Sequence, residues 1–331
     1  MTAYRSFAEQ ALHYFIRPHE EIPSAALRHP ANWYGPEMAA DPSLWLVELS
    51  RDDVAELESS AHRARRARVP FADLTADSFP LPGLENRISQ WRQVLASGRG
   101  FLCLRGLPVE AWGDELASYV YWGLGHHLGA PGAQNAAEEL LGHVTDYGEE
   151  ADNPAVRRYR TSGNIDFHCD AADVVGLLCL RTARSGGQSR IASSVTIFNE
   201  ILARRPELVP RLFQPFRLDR RGEEGEGEAP TLDITPCAFA GGQLRTFWHS
   251  EYFRSAVRHA GVPPFTAEEK ALLELYDQLA ASPAIYLDMW LQPGDIQLIS
   301  NHTVVHARTA YEDYPEPGRG RHLLRLWLSL E

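Results

Sequence analysis

Residues 293–309 read PGDIQLISNHTVVHART, two short apolar runs separated by a polar break. Pro293, Gly294 and Asp295 make a turn, and IQLISN after them reads as a strand. Thr303, Val304 and Val305 then continue in β-branched residues, which disfavour a helix. The distinction matters because His302 and His306 stand four apart, a spacing that on a helix would offer a zinc-binding pair. Strand geometry instead puts His302 in the core or behind a ligand.

The same texture extends outward. Beyond residue 163 short strands alternate with glycine and proline turns: NIDFH, VVGLLCLRT, GQSRIASS, FRLDR, TLDITPCAF, LRTFWH, AIYLDMWL and, last, HLLRLWLSL. Helices are expected near 195–203 and 266–281. This census predicts a mainly β core of sandwich or barrel type with flanking helices. Upstream, GRGFLCLRGLP reads as a buried strand, followed by helical spacing over 109–128. Residues 51–68 and 85–97 also carry helical spacing, the first ending in a basic cluster that suits a helix C-terminus. The chain thus divides into a helical accessory region, 1–97, packed on a β core, 98–331, within one structural domain.

The 331 residues carry 44 acidic and 32 basic side chains, a net charge of -12. A binder relying on phosphate contacts needs the opposite balance, so nucleic acid is not an expected partner. No window approaches the roughly 20 apolar residues of a membrane span. The N-terminus lacks the apolar core of a secretory signal, and a soluble, cytoplasmic protein is expected. The four cysteines form no CxxC pair, and Cys103 and Cys179 read as reduced core thiols. The oligomeric state stays open, with a homo-oligomer compatible.

Chemistry concentrates in a few places. On a strand, residues i and i+2 share a face, so His168 and Asp170 of HCD converge while Cys169 points away. With a histidine from 301–309 they would offer two imidazoles and one carboxylate. That donor set holds one face of Fe(II) and leaves positions open for a co-substrate and oxygen; zinc is compatible with it too. Arg321 and Arg325 also fall on one face of an apolar strand, suited to a carboxylate fork. His126 and His127 diverge on a helix, which argues against a metal role. Asp166 faces the ligand side of its strand, and Trp248 and His249 are candidates for a pocket wall.

HCD at 168–170, SGGQS at 185–189, NHTVVHART at 301–309 and RGRHLLR at 319–325 together resemble the iron- and 2-oxoglutarate-dependent oxygenases of the taurine dioxygenase and clavaminate synthase-like group. The likeness covers about residues 98–331. It implies a double-stranded β-helix (a jelly roll), with His168, Asp170 and His306 on iron. It also implies Arg321 and Ser189 on 2-oxoglutarate, and Arg325, Asn164 and Trp248 toward the substrate. The implied reaction consumes O2 and 2-oxoglutarate, releases succinate and CO2, and hydroxylates a small amino-acid-like or natural-product molecule. Desaturation, epoxidation and ring closure use the same parts. Asp170 argues against halogenation, because halogenases of this class lack that carboxylate. A zinc hydrolase would not need Arg321, and a non-catalytic jelly-roll binding protein would not need the triad. Part of the insertion from about 216 to 253, which contains the Gly/Glu tract 221–230, is expected to close over the site.

Overall fold

The computed structural model describes residues 3–149, 158–225 and 227–330. Eight α-helices occur among them: α1 (Phe7–Phe15), α2 (Gly35–Ala40), α3 (Arg51–Arg66), α4 (Glu85–Ala96), α5 (Val109–Leu128), α6 (Ser194–Arg204), α7 (Ser250–Ser255) and α8 (Ala267–Ala280). The strands before the insertion are β1 (Leu46–Glu48), β2 (Phe101–Arg105), β3 (Ala130–Gly132), β4 (Gly142–Val144), β5 (Ile165–His168), β6 (Val174–Arg181), β7 (Ser185–Gly186) and β8 (Ser189–Ser193). The insertion supplies β9 (Phe216–Asp219), β10 (Thr231–Ile234), β11 (Cys237–Ala240) and β12 (Gln243–Thr246). The chain ends with β13 (Leu287–Met289), β14 (Ile296–Ser300), β15 (Val304–Arg308), β16 (Tyr311–Glu312) and β17 (His322–Ser329).

Two sheets face each other. The larger runs β1-β2-β14-β6-β17-β3, with β4 also on β17, and the smaller runs β13-β8-β15-β5. Alternation along each strand sorts the side chains between two environments. In β17, Leu324, Leu326 and Leu328 pack outward under α3, α4 and α5. Trp327 points inward with Phe101, Cys103, Val175 and Ile299, meeting Ile191, Val304, Leu287 and Met289 of the opposing sheet. Val305 and Ala307 of β15 pack outward against α6, α8 and the insertion. His306 and Arg308 are therefore left on the inner face. The mainly β core matches the strand census, and its two facing sheets match the jelly roll that the family resemblance implies.

Local signals explain the element ends. Ser50 and Asp53 form a capping box on α3, and Arg63, Arg65 and Arg66 fill its last turn. Thr266 and Glu269 cap α8 in the same way. The turn before β14 needs its glycine: Gly294 has φ +90°, and a Cβ there would lie 2.0 Å from the Leu107 carbonyl oxygen. Asp295, fully buried, takes both arms of Arg105 at 2.8 and 2.7 Å and so fixes this turn to β2.

Three features differ from the sequence expectation. TLDITPCAF is not one strand: it breaks at Thr235–Pro236 into β10, paired with β9, and β11, paired with β12. Proline lacks the N–H that a continuous ladder would need. AIYLDMWL contracts to β13. The first hundred residues hold α1 to α4 but also contribute β1, which pairs in parallel with β2 through Leu46↔Cys103. No helix among the described residues is long and apolar enough to cross a membrane.

Candidate metal centre and its two cavities

β5 and β15 are antiparallel neighbours whose register sets His168 directly across from His306. Their ring centroids lie 4.2 Å apart. β5 ends at His168, so Asp170 does not reach the site by strand alternation. It stands on the turn after the strand, where two groups fix it. Its N–H donates to Asn301 Oδ1 at 3.1 Å, and the Trp327 indole donates to its Oδ2 at 3.1 Å. One donor atom from each of His168, Asp170 and His306 falls within 4.8 Å of the others, and among the described residues no second such group forms.

Hydrogen bonding prepares the donors. His168 Nδ1 lies 2.9 Å from the Asp166 carbonyl oxygen. A carbonyl only accepts, so Nδ1 carries the proton and Nε2 keeps its lone pair. Asp166 thus orients a ligand through its backbone, while its carboxylate takes the Asn164 amide at 2.7 Å. Burial, then the neighbouring His168, push the His306 imidazole down to about 3, so it is neutral near pH 7. Burial alone would raise the Asp170 carboxyl. The Arg325 charge, the two imidazoles once acid protonates them and the Trp327 hydrogen bond override it and hold the group well below the usual carboxylate range.

The triad stands where two cavities meet. The inner one, about 60 Å³, is lined by His168, Asp170, Ser189, His306, Arg308, Arg321 and Arg325, among others. Arg321 is buried; its backbone N–H donates to Asp313 at 2.7 Å, its guanidinium lies 5.1 Å from the Tyr311 ring, and Nη1 has no partner. The glycine turn of SGGQS lies against it: Gly187 has φ +73°, and a Cβ there would sit 3.0 Å from Arg321 Nε. Ser189 Oγ donates to Gln297 at 2.9 Å. Arg325 donates from Nε to Gln134 at 2.7 Å and holds Nη1 3.6 Å from Asp170, with Nη2 unpartnered. Unpaired buried guanidinium donors are costly unless an anion answers them. Two imidazoles, a carboxylate and an arginine-lined recess therefore fit Fe(II) with a dicarboxylate beside it.

The outer cavity, about 230 Å³, shares Tyr159, Ile165, His168, Asp170 and Arg325 with the inner one. Its far walls come from α1 and the insertion, including Phe15, Leu218, Arg220, Leu232, Phe247, His249 and Tyr252.

Not every sequence candidate gathers here. Asn164 is exposed and lines a separate cavity with Asp166, Phe167 and Arg190. Trp248 is fully buried, stacked on Tyr276 at 3.8 Å and donating to Asp277; its neighbour His249 faces the outer cavity instead. Alternation along the chain explains the swap. His302 binds Asp173 at 2.8 Å and stacks on Tyr14, away from the triad. His127 meets the Phe79 carbonyl, and all four cysteines are free and buried. Sequence reasoning missed Arg308, Trp327 and Asn301. The period-2 rule applied to His306 and Arg325 would have found the first two.

Two facing β-sheets with an inward histidine–carboxylate triad carry the donor set that suits a non-haem iron centre. The family described as "Taurine catabolism dioxygenase TauD, TfdA family" matches residues 67–327, and the chain belongs to it. It is an Fe(II)- and 2-oxoglutarate-dependent dioxygenase. FR-33289 synthase of Streptomyces rubellomurinus is 32% identical over 298 residues, covering 88% of this chain and 87% of the relative. Among solved structures, an asparagine oxygenase with Fe(II), 2S,3S-3-hydroxyasparagine and succinate matches with TM-score 0.69 at 18% identity. That match covers 86% of this chain and 93% of the other. The non-haem iron oxygenase OrfP with Fe and alpha-ketoglutaric acid matches with TM-score 0.62 at 14% identity, covering 86% and 94%.

Proposed function

We propose that the protein hydroxylates an unactivated C–H bond of a small amino-acid-like or natural-product substrate, with His168, Asp170 and His306 holding Fe(II). The observation that carries this reading is the triad's position between an arginine-lined inner recess and a larger, mixed outer cavity. Arg321, with Ser189 beside it, binds the distal carboxylate of 2-oxoglutarate. Iron and 2-oxoglutarate together supply the oxygen-activating chemistry, with succinate and CO2 as co-products.

The chain's own residues do the rest. The His168 tautomer is fixed by Asp166, and Asp170 is fixed by Asn301 and Trp327, so the donor atoms are set before anything binds. Arg325 balances the Asp170 charge and faces both cavities, where it would meet an anionic group on the substrate. The apolar side chains of α1 and the insertion keep bulk water from the reacting carbon. Glu251 lines the outer cavity near Arg158, 3.0 Å away, and such a mixed wall suits a zwitterion. Two solved relatives carry hydroxylated amino acids, 3-hydroxyasparagine and (3S)-hydroxy-L-Arg, which supports this substrate class.

The test is incubation with Fe(II), 2-oxoglutarate, O2 and a panel of amino acids and their derivatives, read by mass. A product one oxygen heavier, formed with one equivalent of succinate, is expected. Hydrolysis products independent of 2-oxoglutarate would refute the reading.

A further inference from the structure

Arg308 is the charged inner-cavity side chain that the roles above leave unused. It lies two residues beyond His306 on β15 and is nine-tenths buried. Nη2 donates to the backbone carbonyls of Thr161, at 2.7 Å, and Gly163. Nε and Nη1 have no partner. The charges and dipoles around it are Arg321, the Tyr311 ring 4.8 Å away, and the more distant Asp146 and Asp313. Three buried guanidinium groups, those of Arg308, Arg321 and Arg325, therefore share one recess with a free donor on each. Like charges in a low-dielectric site repel, and an anionic ligand between them removes the penalty.

The other arm of Arg308 points to what such an anion would organise. Thr161 and Gly163 belong to the segment entering β5, and Tyr311 N–H donates to Ser162 of the same segment. Arg158 and Tyr159, just upstream, line the outer cavity, and Arg325 lies over the Tyr159 ring at 4.6 Å. One side chain thus joins the inner recess to a wall of the outer cavity.

We propose that Arg308 is a second cationic contact for the 2-oxoglutarate carboxylate and fastens segment 158–164 when that co-substrate is present, so that filling the inner recess shapes the substrate cavity. The inference rests on the functional reading above. It is tested on Mn(II)-loaded full-length protein, which binds 2-oxoglutarate without turning over. Calorimetry gives the 2-oxoglutarate affinity, and hydrogen exchange gives the protection of residues 158–164.

Wild type should bind and gain protection over 158–164 on adding 2-oxoglutarate. Arg308→Gln should bind roughly tenfold to a hundredfold more weakly, as expected for one charged hydrogen-bonding partner, and show no such gain at saturation. Arg308→Lys keeps the charge without the fork, so its affinity should fall less while the gain in protection is lost. Wild-type affinity in Arg308→Gln, or protection that still appears in either variant, overturns the inference. If Arg308→Gln does not fold, Arg308→Lys decides by the same protection readout. A wild-type protein that fails to bind 2-oxoglutarate overturns the functional reading itself, a distinct outcome.

Discussion

Asn301→Ala is the substitution whose cost follows most directly from the structure. Asn301 is fully buried; its Oδ1 accepts the Asp170 N–H at 3.1 Å, and its Nδ2 donates to the Ala172 carbonyl at 2.8 Å. Alanine leaves both backbone groups unanswered away from water. Each orphaned buried group costs about 1–3 kcal/mol, so the loss should be about 2–6 kcal/mol. With an unfolding entropy of about 2.1 cal/mol/K per residue, that lowers the Tm of a chain this long by roughly 3–9 °C. The same change frees the turn that carries Asp170, and loss of such support typically weakens metal binding by about 10–100-fold. Calorimetric unfolding of metal-free protein and Mn(II) titration of the folded variant measure the two effects separately. A variant that melts with wild type and binds Mn(II) equally well would refute the claim that Asn301 fixes Asp170.

His168→Ala, Asp170→Ala and His306→Ala should each abolish turnover and metal binding while leaving the fold largely intact by circular dichroism; Cys169→Ser, whose side chain turns away from the triad toward Thr246 and Val304, should keep activity. Arg321→Ala should weaken 2-oxoglutarate by about 2–5 kcal/mol, the cost of an unpaired buried carboxylate, whereas Arg325→Ala should chiefly alter substrate binding or product coupling. A larger 2-oxoglutarate defect in Arg325→Ala would reverse the two roles. Burial, first among the causes, pushes His126 and His322 down to about 4. The unfolded chain therefore takes up their protons first, and metal-free stability should fall as pH drops from about 6.5 toward 4, by less than about 1.4 kcal/mol per pH unit for each half-screened ring. A flat Tm over that range would contradict this. The insertion should close further when Fe(II), 2-oxoglutarate and substrate are all present, and unchanged proteolysis within 221–230 would count against a lid.

Much of the architecture was legible because it rests on periodicity. Alternation in β15 and β17 assigns each residue to the helix-covered face or the inner face, and capping residues mark α3 and α8. Glycine and proline turns give the strand order its punctuation. What periodicity cannot carry is pairing between distant segments. β1 is three residues long and acquires its identity only from β2. TLDITPCAF looks continuous until β9 and β12 claim its halves. The site divides in the same way. His306 and Arg308 follow from one strand, but the route of Asp170 to the triad depends on Asn301, 131 residues away. Trp248 and His249 differ only in which way the chain turns after β12, and no composition argument chooses between them.

In the function proposed above, His168, Asp170 and His306 hold an iron to which 2-oxoglutarate binds from the Arg321 side. The direct measurement is anaerobic addition of Fe(II) and then 2-oxoglutarate to the full-length protein, followed by visible absorption. A metal-to-ligand charge-transfer band is expected that requires both additions, is absent in His306→Ala, and needs far more 2-oxoglutarate in Arg321→Ala. No band in wild type, or an undiminished band in His306→Ala, would contradict it.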